Sequence, residues 1–205
     1  MKVGILTCST PNRKWLYDIT NRTKEIYATR YGYDYIFSDC FYPDRTRHPY
    51  WNKIKFIADN MKKYDWVLWL DDDAGFIANT TIEPIFDTNA NFLFANDMNG
   101  FNSGVMAIKN TFEMQGAMLF IWEKLYSIYK THEFPEQDAL FHLIVKSLNL
   151  GKSIDGRKYN AYSNQLTISN INQADESTII LHIAGGSVFK ERHKECIANL
   201  FSRYN

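Results

Sequence analysis

The stretch VLWLDDDAGFI, residues 67–77, decides how the chain is read. Its opening run is apolar on both faces of an extended segment, the pattern of a strand buried in the middle of a sheet. Asp71, Asp72 and Asp73 follow without a break. Two carboxylates ~4 Å apart repel by roughly 1 kcal/mol in water, and by several times that in a sheltered cleft. Acids crowded behind a buried strand therefore need positive charge beside them. Hard carboxylate oxygens suit a divalent ion such as Mg²⁺, Mn²⁺ or Ca²⁺. On an extended segment Asp71 and Asp73 point to one side and Asp72 to the other, giving two convergent ligands and one acid free to hold a hydroxyl. The plainer reading is an exposed turn or a helix N-terminus, both of which collect aspartate.

The spacing fails as a calcium loop and fits a second metal motif poorly. A calcium loop needs glycine at its sixth place, and here Gly75 stands fifth and Phe76 sixth. A phosphatase of the haloacid-dehalogenase type places Thr or Val where this chain has Gly75, and its motif would fall unusually late, on a third strand.

Upstream, KVGILT (2–7) reads as a buried strand, Trp15 to Arg30 as an amphipathic helix and YDYIFSD (33–39) as a second strand. A strand, helix, strand unit predicts parallel pairing with a right-handed crossover. A loop with two prolines (40–50) and a helix from Trp51 to Lys62 then lead into the third strand, 65–70. In open α/β sheets ligands bind beyond the carboxyl ends of the strands, which is where the aspartates lie. Downstream, 91–97 and 104–110 read as strands, and 112–130, 136–149 and 189–204 as helices. The segment 178–186 reads as the strand that ends the sheet, and 151–177 has no regular pattern. The expectation is an α/β fold, a single domain over 1–205 with a mixed, mostly parallel sheet flanked by helices.

With 205 residues, 23 basic against 23 acidic, no global field draws this chain to nucleic acid or to an anionic membrane. Cys8, Cys40 and Cys196 are odd in number and widely spaced, which predicts reduced thiols in a reducing compartment. The N-terminal apolar run is too short for a signal peptide or a membrane span, so the expectation is a soluble, cytoplasmic protein.

Five segments in order resemble the GT-A glycosyltransferases: ILTCSTPNR, YWNKIKFIADNMKKYDWVLWLDDDAGFI, FNSGVMAIKN, FPEQDAL and LHIAGGSVFK. The likeness is nearest to retaining galactosyl- and xylosyltransferases of the plant and fungal type, with a compact form of the kind that large algal viruses encode. It spans most of the chain and implies a Rossmann-like nucleotide-binding half, about 1–98, and an acceptor-side half, about 99–205.

The resemblance implies that Asp71 and Asp73, as an Asp-x-Asp motif, hold Mn²⁺ or Mg²⁺ against the pyrophosphate of a nucleotide-sugar donor, UDP-linked, with His182 as third ligand. Gly185, Gly186 and Lys190 then close over the phosphates: glycines let backbone approach and lysine supplies point charge. Lys53 and Arg13 are assigned to phosphate, ribose or base, with Asp72 and Lys53 steadying the donor. Thr7 and Ser9 face the uracil edge, Asn102, Ser103 and Gly104 the sugar hydroxyls, and Gln137 and Asp138, beside Glu136, the transferred sugar. Asp72, Gln137 and Asp138 are thus the catalytic candidates. Each has a simpler reading: surface charge for Arg13 and Lys53, turn chemistry for Thr7, Ser9 and Asn102 to Gly104, a satisfied histidine for His182, and helix-start acids for Glu136 and Asp138. The acceptor implied is a glycan or glycoprotein, with retention of configuration. Two rivals stand beside this reading, a phosphatase and a sugar-binding module with a dead site.

Overall fold

The computed structural model describes residues 1–41, 43–166, 171–184, 187–202 and 204, without the side chains of 187 and 188. Strand β1 (Val3–Ser9) is buried along its whole length, and α1 (Lys14–Tyr31) and β2 (Asp34–Asp39) complete the first crossover. Helix α1 stops at Gly32, whose φ of 68° lets Tyr33 N reach Ala28 O at 2.9 Å. A left-handed residue of this kind is cheap only without a Cβ. Helix α2 (Pro49–Asn60) starts on proline, where a missing N–H costs nothing, and β3 (Trp66–Leu70) follows, buried at every residue. Next come β4 (Ala74–Phe76), β5 (Phe92–Asp97), β6 (Gly100–Lys109), α3 (Phe112–Phe120), α4 (Tyr126–Tyr129) and α5 (Pro135–Leu140). The chain continues through β7 (Gly151–Ser153), α6 (Gly156–Tyr159), β8 (Ile180–His182), α7 (Ser187–Arg192) and α8 (Lys194–Ser202).

The main sheet has the order β2-β1-β3-β6-β5-β7. Pairs β1–β2, β1–β3 and β5–β7 are parallel, while β6 runs antiparallel to both β3 and β5. This is the mixed, mostly parallel α/β sheet expected. Val67 and Trp69 face one core with α2, α3 and α5, and Trp66, Leu68 and Leu70 face the other with α1. That double burial is why β3 reads as an unbroken apolar run. No helix among the described residues is long and apolar enough to cross a membrane.

Segment 178–186 does not end the main sheet. Ala74 N bonds to Asp71 O at 3.1 Å, turning the chain out of the sheet plane, and β4 then pairs antiparallel with β8 in a separate ribbon. Gly75 is what lets the ribbon lie against the helices: a Cβ there would stand 2.7 Å from Thr23 Oγ1 and 2.8 Å from Phe201 Cε1. The ribbon puts His182 opposite Ala74, next to the aspartates.

The expectation of three reduced thiols fails for two of them. Cys8 and Cys40 form a disulfide with Cα atoms 5.1 Å apart. Parallel pairing of β1 with β2 sets Ser9 beside Asp39 and carries Cys40 to the end of β1, a proximity invisible in a sequence separation of 32. The helix expected over 112–130 widens to a π-helical turn at Ile121–Leu125. Arg47 lies 3.8 Å from the Trp122 ring centroid and donates to Trp122 O at 2.5 Å, competing with the helix ladder for that carbonyl. The closing helix is split into α7 and α8, with His193 Nδ1 hydrogen-bonded to Phe189 O at 2.8 Å, the carbonyl a continuous helix would have used.

Candidate active site

The carboxyl ends of β1 and β3 open on the same edge of the sheet, and β6, running the other way, brings Gly104 O to Asp71 N at 2.8 Å. The acidic triplet is therefore a tight turn at this edge. It is not the extended segment assumed from sequence, yet Asp71 and Asp73 still share a side.

Each acid has its own partners. Asp71 Oδ1 accepts from Trp69 Nε1 at 2.7 Å and from Lys53 Nζ at 3.3 Å. Asp72 turns toward the loop after β1, where Arg13 Nε donates at 2.8 Å and Nη2 at 2.5 Å, and Ser9 Oγ donates at 2.7 Å. Asp73 Oδ2 accepts from Arg13 Nη2 at 3.1 Å and from Lys190 Nζ. Asp73 Oδ1 is buried with no hydrogen-bond partner and lies 3.2 Å from His182 Nε2. Ligand atoms of Asp71, Asp73 and His182 all fall within 4.8 Å of one another.

Beneath the triplet sits Lys24, fully buried, donating to Asp71 O at 3.0 Å and Thr7 Oγ1 at 3.2 Å. On the far side, Lys53 reaches Glu136 Oε1 at 3.0 Å and Ser103 Oγ at 3.1 Å. Arg13, Lys24, Lys53 and Lys190 thus match Asp71, Asp72, Asp73 and Glu136 in number. Side chains alone offset the repulsion, so crowding of the acids is not by itself the argument for an ion. The stronger one is Asp73 Oδ1, which makes no hydrogen bond to any other group and stands 3.2 Å from His182 Nε2, so one ion could engage both atoms.

The charges shape one another. Burial alone would raise the Asp73 carboxyl, but Lys190 foremost, then His182 and Arg13, hold it well below the usual carboxylate range. Asp72 moves upward, driven by burial and by the neighbouring Asp73 charge against Arg13 and Ser9. Burial would also lower the Lys53 ammonium, but Asp71 and Glu136 carry it above its ordinary value. Lys24 has no carboxylate in contact, and burial pulls it down to about 8.

Of the residues singled out from sequence, Asp71, Asp73 and His182 converge, Ser9 and Arg13 hold Asp72, and Lys53 and Ser103 flank Asp71. Gln137 Oε1 accepts from Ser103 N at 2.9 Å. Lys190 rests on Asp73. Thr7 is completely buried and turned to Lys24, so its hydroxyl does not face the open edge. Asn102 bonds Asp97 and Asn160. Asp138 stands apart, paired with His132 Nδ1 at 2.8 Å on a partly exposed surface. Gly185 and Gly186 lie outside the described residues.

Lys24, Asn160 and the indole of Trp69 escaped the sequence reading. Lys24 had a signal: it shares the buried stripe of Leu16, Thr20, Thr23 and Tyr27 on α1, where an unpaired lysine has no business. Asn160 lies in a polar stretch whose pattern marks nothing.

Among known proteins, an alpha-1,2-galactosyltransferase of Schizosaccharomyces pombe is 25% identical across 84% of this chain and 56% of its own length. A second, uncharacterized alpha-1,2-galactosyltransferase of that yeast is 28% identical across 89% of this chain and 59% of its own. This chain therefore spans little more than half the length of these relatives. Among solved structures, a glycosyltransferase involved in the glycosylation of the major capsid of PBCV-1 superposes with a TM-score of 0.74 at 16% identity, covering 95% of this chain and all (100%) of that one. The galactosyltransferase LgtC, solved with donor and acceptor sugar analogs, gives 0.63 at 14% identity over 97% of this chain and 95% of its own. These likenesses show the GT-A fold. With a sequence profile matched over residues 3–88 and 79–193, the chain belongs to the galactosyl transferase GMA12/MNN10 family.

Proposed function

We propose that this chain is a metal-dependent glycosyltransferase that moves a sugar from a nucleotide-diphosphate donor, UDP-linked, to a hydroxyl of a glycan or glycoprotein. The observation that carries the reading is the convergence of Asp71, Asp73 and His182 at the carboxyl edge of the sheet, with Asp73 Oδ1 unpartnered among them. Two hard carboxylates and an imidazole nitrogen fit Mn²⁺ or Mg²⁺. A divalent ion held there supplies positive charge to a diphosphate whose own charge grows as it departs.

The chain's own groups complete the site. Arg13 and Lys190 both touch Asp73, Arg13 partly exposed and Lys190 buried, and give the site a cationic rim that would favour the charge of a diphosphate. Lys53, with Ser103 and Glu136, fixes the Asp71 side. In transfer, the bond from the anomeric carbon to the diphosphate oxygen breaks, and the acceptor oxygen bonds that carbon as its proton leaves. The triplet carboxylates are engaged by Arg13, Lys53 and Lys190, and Asp138 by His132. This favours a front-face course, with retention, in which the departing diphosphate takes the acceptor proton. Gln137, held against Ser103 N, is the uncharged side chain placed to orient the sugar.

A thermal-shift panel tests the reading. A ligand at 100 times its dissociation constant stabilises by roughly 2.7 kcal/mol. UDP should raise the unfolding temperature with Mn²⁺ and do little in chelator, and UDP-sugar should be turned over. Stabilisation indifferent to UDP, or phosphate release from simple monoesters, would overturn it; binding without turnover would mark a dead site.

A further inference from the structure

We infer that Asn160 is the positioning residue for His182, fixing which imidazole nitrogen faces the acids. The inference rests on the metal reading for its purpose, though its geometry stands alone. His182 Nδ1 lies 2.8 Å from Asn160 Oδ1, and both residues are buried, Asn160 completely.

The orientation of this amide follows from a chain of bonds whose far end is unambiguous. Asp97 Oδ2 accepts from Asn102 Nδ2 at 2.8 Å and from Tyr162 Oη at 3.1 Å. A carboxylate only accepts, so Asn102 must present its Nδ2 there and its Oδ1 on the other side. That Oδ1 takes Gly104 N at 2.9 Å, which confirms the assignment, and Asn160 Nδ2 at 3.3 Å. Asn160 is thereby obliged to offer Oδ1 to the imidazole. His182 Nδ1 must carry the hydrogen, and in the neutral ring Nε2 is left as a lone pair aimed at the Asp73 side. Metal-binding histidines commonly have their second nitrogen held this way.

The ring is also confined from behind. A Cβ on Gly104 would fall 2.2 Å from His182 Cε1, so the bare backbone of β6 forms the wall against which the imidazole lies. Tyr162 flanks it, with ring centroids 6.0 Å apart. Asn102, first read as a sugar contact, becomes the residue that orients Asn160.

The test has two readouts on the full chain. The first needs no metal: long-range ¹H–¹⁵N correlation in chelator, with the His182 signals assigned by His182→Gln. Protonation at Nδ1 is expected, and a ring protonated at Nε2 alone overturns the inference. The second is Mn²⁺ affinity by paramagnetic resonance for Asn160→Leu, Asn160→Asp and Asn102→Ala, with unfolding midpoints measured beside it. Asn160→Leu should weaken Mn²⁺ about 10- to 100-fold. Asn160→Asp, still an acceptor toward Nδ1, should restore most of the affinity. Equal affinity in the parent and Asn160→Leu overturns the inference; if the leucine variant fails to fold, unchanged affinity in Asn102→Ala does so instead. A parent chain that binds no Mn²⁺, with or without UDP, defeats the metal reading while the tautomer measurement still decides the role of Asn160.

Discussion

Lys190 Nζ rests on Asp73 Oδ2, across 117 residues of sequence, while the other oxygen of the same carboxylate faces His182. Asp73 is therefore shared between a cation from α7, the guanidinium of Arg13 and the imidazole side of the site. A residue in that position bears on the fold and, under the proposed function, on the chemistry.

Replacing Asp73 should reveal both roles. Asp73→Ala leaves Lys190 buried without its counter-charge, which costs about 3 kcal/mol or more when one partner of a buried pair is lost. Urea denaturation should show that loss. Asp73→Asn preserves shape and should fold better, yet Mn²⁺-dependent turnover of UDP-sugar should vanish in both. Full turnover in Asp73→Asn contradicts the ligand assignment.

Gly104→Ala offers a sharper test, because a single methyl is introduced. The new Cβ overlaps the imidazole of His182, so the ring must swing out of its place. Overpacking of this kind costs about 1–3 kcal/mol. Mn²⁺ affinity should fall further than the change in unfolding midpoint would suggest, and calorimetry on the folded variant reads it directly.

Lys24 gives a dependence on pH with a definite sign. Burial lowers its folded value to about 8, below the ordinary value of 10.5, so between those limits the unfolded chain binds the extra proton. Stability contributed by this group must rise as pH climbs from 8 toward 10. Urea midpoints in chelator at pH 7.5, 8.5 and 9.5 should show the rise, and Lys24→Met should flatten it. Asp73 acts at the other end: its depressed carboxyl stabilises the fold above its ordinary value of 3.8, and that contribution is lost as pH falls below it.

Reducing Cys8–Cys40 should lower stability by about 2–4 kcal/mol, the usual range for removal of a native bridge. Mass spectrometry with and without reductant checks the bond, and the Cys8→Ser midpoint checks its worth. A midpoint unchanged by reductant would mean the two thiols are merely neighbours.

How much of this was legible depends on the length of each signal. Trp66 to Leu70 announced a central strand because both faces are buried, and the sheet edge followed from strand direction alone. Helix α1 was visible in its periodicity, although its apolar Ile19 and Ile26 are only partly buried while Thr20, Thr23 and Lys24 are fully so. Strands β4, β7 and β8 span three residues each, too short for any alternation to register. The pairing of β4 with β8, which carries His182 to the acids, depends on a tight turn at Asp71 that propensity does not encode. The disulfide was hidden for a related reason: it follows from strand register. Asp138 misled because the acids of a helix start look alike until one of them finds a histidine.

The ribbon of β4 and β8 also orders events in time. As the chain leaves the ribosome, the acidic turn emerges with Arg13, Lys24 and Lys53 already made, but more than a hundred residues must follow before His182 and Lys190 arrive. A nascent chain can lay down β1, β2 and β3 early, yet Asp73 meets its partners from β8 and α7 only once that later stretch has been synthesised and folded back. The cluster of Asp71, Asp73 and His182 is thus absent from any copy in which synthesis has not yet passed His182.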